Sequence, residues 1–262
     1  MSSRSSSAIR TLALLGHAGS GKTSLLERLL LASGAKGEVG TVEKGDTLSD
    51  FEPLEKQYGH SLDTALARID HDGHEIQLID TPGDPDFRGP ALAAMSAVET
   101  AAIVVNASNG VESSTRRLMR RARQRRLCRM IIVNRIDAED LDLEAVIRDL
   151  REEFGPQCLP VNLPADGGAT VRDCFFHDSG DTDIFSLAAA HDEIRDQVIE
   201  ADEGLMARYL DGETIGREEL HDAFELALRE GHLVPICFTS ARTGAGVEEL
   251  LDFITRLLPS PL

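Results

Sequence analysis

Tryptophan is absent from the 262-residue chain, and aromatic residues make up only 4% of it. The core must therefore be largely aliphatic. No apolar run approaches the roughly 20 residues of a membrane-spanning helix. The first residues, MSSRSSSA, lack the apolar stretch of a signal peptide. The four cysteines (Cys128, Cys158, Cys174, Cys237) are scattered without a CxxC pair. That spacing favours reduced thiols over a disulfide framework or a zinc site. Positive charge is scarce: 27 Lys and Arg face 45 Asp and Glu, for a formal net charge of -18. Such a surface argues against non-specific binding of nucleic acid and leaves room for a local basic patch. Together these absences describe a soluble, cytoplasmic protein, expected to be a monomer, with neither DNA nor a membrane as its partner. What is present is 42% hydrophobic residues, enough for a sizeable core, in a length suited to one large domain or one domain with an insert.

Apolar stretches recur at 9–15, 62–69, 75–79, 101–106, 128–134 and 233–239. Helical patterns lie at 23–32, 89–99, 112–126 and 142–154. Strands alternating with helices predict an α/β fold, a mostly parallel sheet with helices on both faces. In such sheets ligands sit at the carboxyl ends of the strands. Residues 1–8 read as a disordered Ser-rich tail. Residues 34–61, rich in Gly and charge, read as a long mobile loop. Residues 159–231 break the rhythm, with weak strand signals around 174–176 and two helices at the end. The second of these places Leu220, Phe224, Ala227 and Leu228 on one face. The expected organisation is a main domain at 9–158 and 232–262 with a small inserted α/β subdomain at 159–231.

Gly16, His17, Ala18, Gly19, Ser20, Gly21, Lys22 and Thr23 read GHAGSGKT, a full match to G-x-x-x-x-G-K-[ST], and Ser24 follows. The match comes after a strand and opens a helix. Glycines let successive backbone N–H groups turn toward phosphate oxygens, and the helix N-terminus adds its positive end. Lys22 is expected to reach the β and γ phosphates, and the Thr23 hydroxyl to ligate Mg²⁺. After the strand at 75–79 comes DTPGDPDF. Asp80 would stand at the strand's carboxyl end and hold Mg²⁺ through water. Gly83 would let a backbone N–H approach the γ-phosphate.

Farther on, IIVNRID places Asn134 and Asp137 just past a buried strand. A carboxylate accepts from both N1–H and N2–H₂ of guanine, so Asp137 selects that base. Asn134 can contact N7 and brace the phosphate loop, and Arg135 can cover one face of the ring. In TSARTGAG (239–246), Ser240 and the Ala241 N–H can close over the base and meet O6, with Arg242 beside them. GTP and GDP are therefore the expected ligands, ahead of ATP.

GHAGSGKTS, DTPGDPDF, NRID and the closing CFTSARTGAGVEELLDFITRLLPSP together resemble the GTP-binding domain of elongation factor G, in its divergent, elongation factor G-like branch. EADEGLMARYLDGE (200–213) and PVNLP (160–164) resemble that family's inserted subdomain. The resemblance implies a P-loop GTPase fold, GTP hydrolysis and a ribosomal partner. It puts Lys22, Gly83 and Asp84 at the attacked phosphate. It also sets four departures in relief. Asp84 stands where the family has a histidine that orients the attacking water. A carboxylate beside a triphosphate meets like-charge repulsion and cannot donate as an imidazolium can. Weak hydrolysis is the expectation, with Asp84 as a solvated turn residue the other reading. Gly19 replaces a common aspartate, and Arg135 replaces a lysine. Ser61 aligns with the mobile loop's metal-binding threonine, ahead of Thr64 and Thr47. Finally, eight arginines crowd 116–129. They either pair with acidic neighbours or meet ribosomal RNA.

Overall fold

The computed structural model describes residues 5–261 apart from 50, 59, 85, 87 and 214, and apart from the side chains of 88, 217 and 218. In chain order the elements are β1 (Ile9–Leu15), α1 (Lys22–Ala32), α2 (Pro53–Tyr58), β2 (Ala65–His71), β3 (His74–Asp80), α3 (Arg88–Ala94), β4 (Thr100–Asn106), α4 (Ser113–Gln124), β5 (Cys128–Asn134), α5 (Leu143–Phe154), β6 (Cys158–Pro160), β7 (Asn162–Ala165), β8 (Thr170–Asp173), α6 (Leu187–Glu200), α7 (Glu203–Leu210), α8 (Arg217–Glu230), β9 (Val234–Thr239) and α9 (Val247–Leu257). Seven strands form one sheet in the order β2-β3-β1-β4-β5-β9-β6. All neighbours run parallel except β2 and β3, a hairpin whose antiparallel register pairs Ala65 with Asp80 and His71 with His74.

The period of two along each strand divides the core between the two faces of the sheet. Leu12, Leu14, Ile76, Leu78, Met130 and Ile132 face one side, where α1, α6, α8 and α9 supply Leu26, Ile194, Phe224 and Leu251. Ala13, Leu15, Ile103, Ile131 and Val133 face the other, covered by α3, α4 and α5 through Ala94, Met119 and Ile147. The scarce aromatics gather at one point: the Phe224 ring meets Phe175 and Phe253 edge-on, at centroid distances of 4.5 and 6.1 Å.

Several sequence expectations need correction. The strand expected at 62–69 is β2 at 65–71, because the Leu62 and Asp63 N–H groups go to the Glu55 carboxylate and not to a neighbouring strand. Leu159 and Pro160 lie in the main sheet, where β6 pairs with β9. The strands that follow, β7 and β8, form a separate two-stranded sheet, and the second ends before Cys174, where Asp173 accepts the Phe176 N–H and turns the chain. Among the described residues, the stretch 159–231 carries three helices where two were expected, since Asp202 caps a fresh helix with bonds from the Gly204 and Leu205 N–H groups. Helices α6 and α8 pack on the same side of the sheet as α1 and α9. At the start of the chain, Ser6–Ala8 form a 3₁₀ turn, while residues 1–4 of the expected tail lie outside the described residues. The loop at 34–61 is likewise structured in part, with a 3₁₀ turn at Val42–Lys44 and the helix α2. Of the arginine cluster, Arg129 is a buried strand residue of β5. Among the described residues no helix is long and apolar enough to cross a membrane.

Candidate nucleotide site

β1 is the strand at which the sheet's order reverses, with β3 on one side and β4 on the other. The crevice at such a switch point is where doubly wound sheets hold ligands. The glycine loop leaves β1 there. Gly16 has φ +150°, and a Cβ on it would collide with the Val104 carbonyl. Gly21 has φ +91° and leads into α1, so both positions demand glycine. Lys22 folds back over the loop, its Nζ donating to the Gly16 and His17 carbonyls at 3.1 and 3.0 Å. Ser20 Oγ is buried and, among the described residues, has no hydrogen-bond partner.

Beside the loop, Thr23 Oγ1 donates to Asp80 Oδ2 at 2.8 Å, and the Ser61 hydroxyl lies 3.4 Å from Thr23. Asp80 is 1% exposed at the carboxyl end of β3. The structure thus brings together the three oxygen donors expected for a metal, from three separate segments. Hydroxyl and carboxylate oxygens form a donor set suited to a hard cation such as Mg²⁺. Gly83 presses on the phosphate loop: a Cβ there would lie 2.6 Å from the Ala18 nitrogen and would also strike Lys22 Nζ. Asp84 lines the same cleft, and its Oδ1 accepts the Asp86 N–H at 2.8 Å.

The residues expected to read the base converge next to this cleft. Asn134 is 1% exposed and bridges two loops. Its Nδ2 donates to the Ser20 carbonyl at 3.0 Å, and its Oδ1 accepts the Ala241 N–H at 2.9 Å. The Ala241 N–H, expected to meet guanine O6, is therefore committed to Asn134 in this structure. Asp137 Oδ1 accepts from Ser240 Oγ at 2.5 Å, and its other oxygen pairs with the exposed Arg242. Arg135 is exposed, borders the cleft and holds φ at +70°, a left-handed conformation that costs a non-glycine residue about 1 kcal/mol or more. Ser24 and Gly19 also line the cleft. So do Val42, Glu43 and His60, whose segment carries no phosphate or base motif, and Thr81, which lies inside DTPGDPDF beside the expected Asp80 and Gly83.

A glycine loop at a sheet's switch point, a hydroxyl–carboxylate pair beside it and an amide bridge to a second loop define a nucleotide-binding domain of the P-loop class. The more particular assignment follows from comparison: the chain belongs to the elongation factor Tu GTP-binding domain family, whose profile matches residues 7–260. An elongation factor G-like protein of Mycobacterium tuberculosis is 32% identical over 97% of this chain and 37% of its own length. An oxytetracycline resistance protein of Streptomyces rimosus is 36% identical over 95% of this chain and 37% of its own. A solved structure from Thermus thermophilus superposes with a TM-score of 0.89 at 36% identity, over 97% of this chain and 41% of that one. The chain thus spans well under half the length of these relatives.

Proposed function

We propose that this domain binds GTP and GDP with Mg²⁺, hydrolyses GTP slowly, and acts in the cytoplasm in contact with the ribosome. The observation that carries the reading is the meeting of Thr23, Ser61 and Asp80 at the mouth of the glycine loop, with Lys22 beside them. Thr23, Ser61 and Asp80 are the residues that would hold Mg²⁺, which when bound neutralises phosphate charge. Lys22 contributes a positive charge toward the β and γ phosphates, and the loop amides contribute donors. Gly83 offers a backbone N–H at the terminal phosphate. Asp137 accepts from the guanine N1–H and N2–H₂ groups, held in place by Ser240 and Arg242. The names of the relatives point to translation elongation and to oxytetracycline resistance, which supports a ribosomal partner. The exposed arginines of α4 are a candidate contact with its RNA, although Arg116 is paired with Glu153 and Arg125, just past the helix end, bonds the Leu92 carbonyl and Ser96.

A second reading, nucleotide binding with little or no turnover, is favoured by one feature. The Asp84 carboxylate is bonded within its own loop to Asp86, as a turn residue is. Phosphate release by the wild type and Asp84→His, with and without ribosomes, separates the two. The hydrolysis reading expects slow release that ribosomes accelerate and that histidine accelerates further. No gain from histidine would remove the missing imidazole as the limiting defect.

A further inference from the structure

The long loop between α1 and β2 is held at each end by a buried glutamate. At the near end, Glu27 of α1 is fully buried. It accepts the Gly40 N–H at 2.8 Å and the Leu48 N–H at 2.6 Å, and pairs with Lys36 at 2.5 Å. The fit admits only glycine at 40, where a Cβ would lie 2.6 Å from the Asp46 carbonyl oxygen and 2.7 Å from Glu27 Oε2. At the far end, Glu55 of α2 is 2% exposed. Its Oε1 accepts the Leu62 N–H at 2.9 Å and the Asp63 N–H at 3.3 Å, and its Oε2 accepts the Glu52 N–H at 3.1 Å. A buried carboxylate is stable only where donors surround it, and charge-assisted bonds of this kind are stronger than neutral ones. Leu62 directly follows Ser61, so the Glu55 clamp fixes the backbone that carries the hydroxyl facing Thr23.

We infer that Glu55 is the positioning residue that sets the Ser61 hydroxyl opposite Thr23 and Asp80, and that it thereby governs the preference for triphosphate over diphosphate. The inference rests on the nucleotide reading above. A loop that answers to the terminal phosphate can stabilise the triphosphate complex while leaving the diphosphate complex unchanged. Glu55 touches neither nucleotide nor metal in this account; it acts through Ser61.

The test titrates a non-hydrolysable GTP analogue and GDP, each with Mg²⁺, into wild type, Glu55→Ala, Glu55→Gln and Ser61→Ala. Glu55→Ala is expected to weaken the analogue about tenfold, roughly the worth of one charge-assisted bond, and to leave GDP within about twofold. Ser61→Ala shows the same split, and the double variant loses no more than Ser61→Ala alone, since both act on one contact. Glu55→Gln keeps a carbonyl for Leu62 and Asp63 and recovers most of the affinity. Equal losses for both nucleotides, unchanged affinities, or additive effects would overturn the inference. Should Glu55→Ala fail to fold, hydrogen exchange in the wild type decides. The Leu62 and Asp63 amides slow with the analogue more than with GDP, and equal protection contradicts the inference. Wild type that binds neither nucleotide fails the nucleotide reading itself, an outcome distinct from wild type that binds both while Glu55→Ala loses both alike.

Discussion

Asn134→Ala would cut the bridge between the glycine loop and the loop carrying Ser240 and Ala241. Two buried hydrogen bonds disappear, to the Ser20 carbonyl at 3.0 Å and from the Ala241 N–H at 2.9 Å. Each deletion leaves a buried backbone group without its partner, at about 1–3 kcal/mol apiece. The expected loss is therefore about 2–6 kcal/mol, before any contribution from the space opened beside Gly21. In a chain of this size 1 kcal/mol moves the melting temperature by about 2–4 °C, so a middle value predicts a drop on the order of 10 °C. The same cut should weaken GDP strongly, because the loop carrying Lys22 and the loop carrying Ser240 are no longer held in one frame. Differential scanning calorimetry of the nucleotide-free protein gives the first number, and titration with GDP gives the second. Unfolding within about 1 °C of wild type, with GDP affinity within about twofold, would refute the claim that this bridge organises the site. Asn134→Asp is a useful companion. It keeps an acceptor for Ala241 and sets an oxygen against the Ser20 carbonyl, so it should be no better than alanine.

Asp137→Asn replaces an acceptor of two guanine donors by a group that can donate, so guanine affinity should fall about a hundredfold or more and xanthine nucleotides should bind in its place; retained guanine preference in a competition assay would contradict the assignment. Burial pushes the Cys128 thiol up to about 12 and the Cys158 thiol up to about 11, and Cys174 and Cys237 are raised as well by the same cause. A thiol reagent at neutral pH should therefore leave the folded protein unlabelled and modify all four cysteines after unfolding. Burial also raises Asp173 above the usual carboxylate range, against the opposing pull of the Phe176 N–H. Its stabilising contribution is thus full below the unfolded-state pKa and is lost as pH rises through the folded one. Asp173→Asn, which keeps the acceptor for Phe176, should then be at least as stable as wild type at pH 7 by urea unfolding. Its advantage should vanish in the acid range; a variant less stable at pH 7 would contradict the sign.

The elements most legible in the sequence are those whose chemistry is local. GHAGSGKT needs glycines because its backbone turns beneath the Val104 carbonyl and the Asn134 amide, and that demand is written in the residues themselves. Buried strands such as Cys128–Asn134 are apolar nearly throughout, so their bounds can be read directly. The features that do not show there depend on partners distant in the chain. Glu27 looks like an ordinary solvated charge on a helix, and Glu55 like one more charge in a polar loop. Their burial follows from backbone donors at Gly40, Leu48 and Leu62, which no side-chain pattern records. The late start of β2 has the same origin, since the amides that would have extended it are spent on Glu55. Arg129 groups with the α4 arginines by adjacency, although its side chain runs into the interior and donates to the Gly231 carbonyl.

The most direct measurement is a calorimetric titration of the intact folded chain, with Mg²⁺, by GDP, GTP, ADP and ATP. Both guanine nucleotides are expected to bind at sub-millimolar concentration, and neither adenine nucleotide at the same concentrations. Silence from all four, or equal affinity for adenine and guanine, would contradict this expectation.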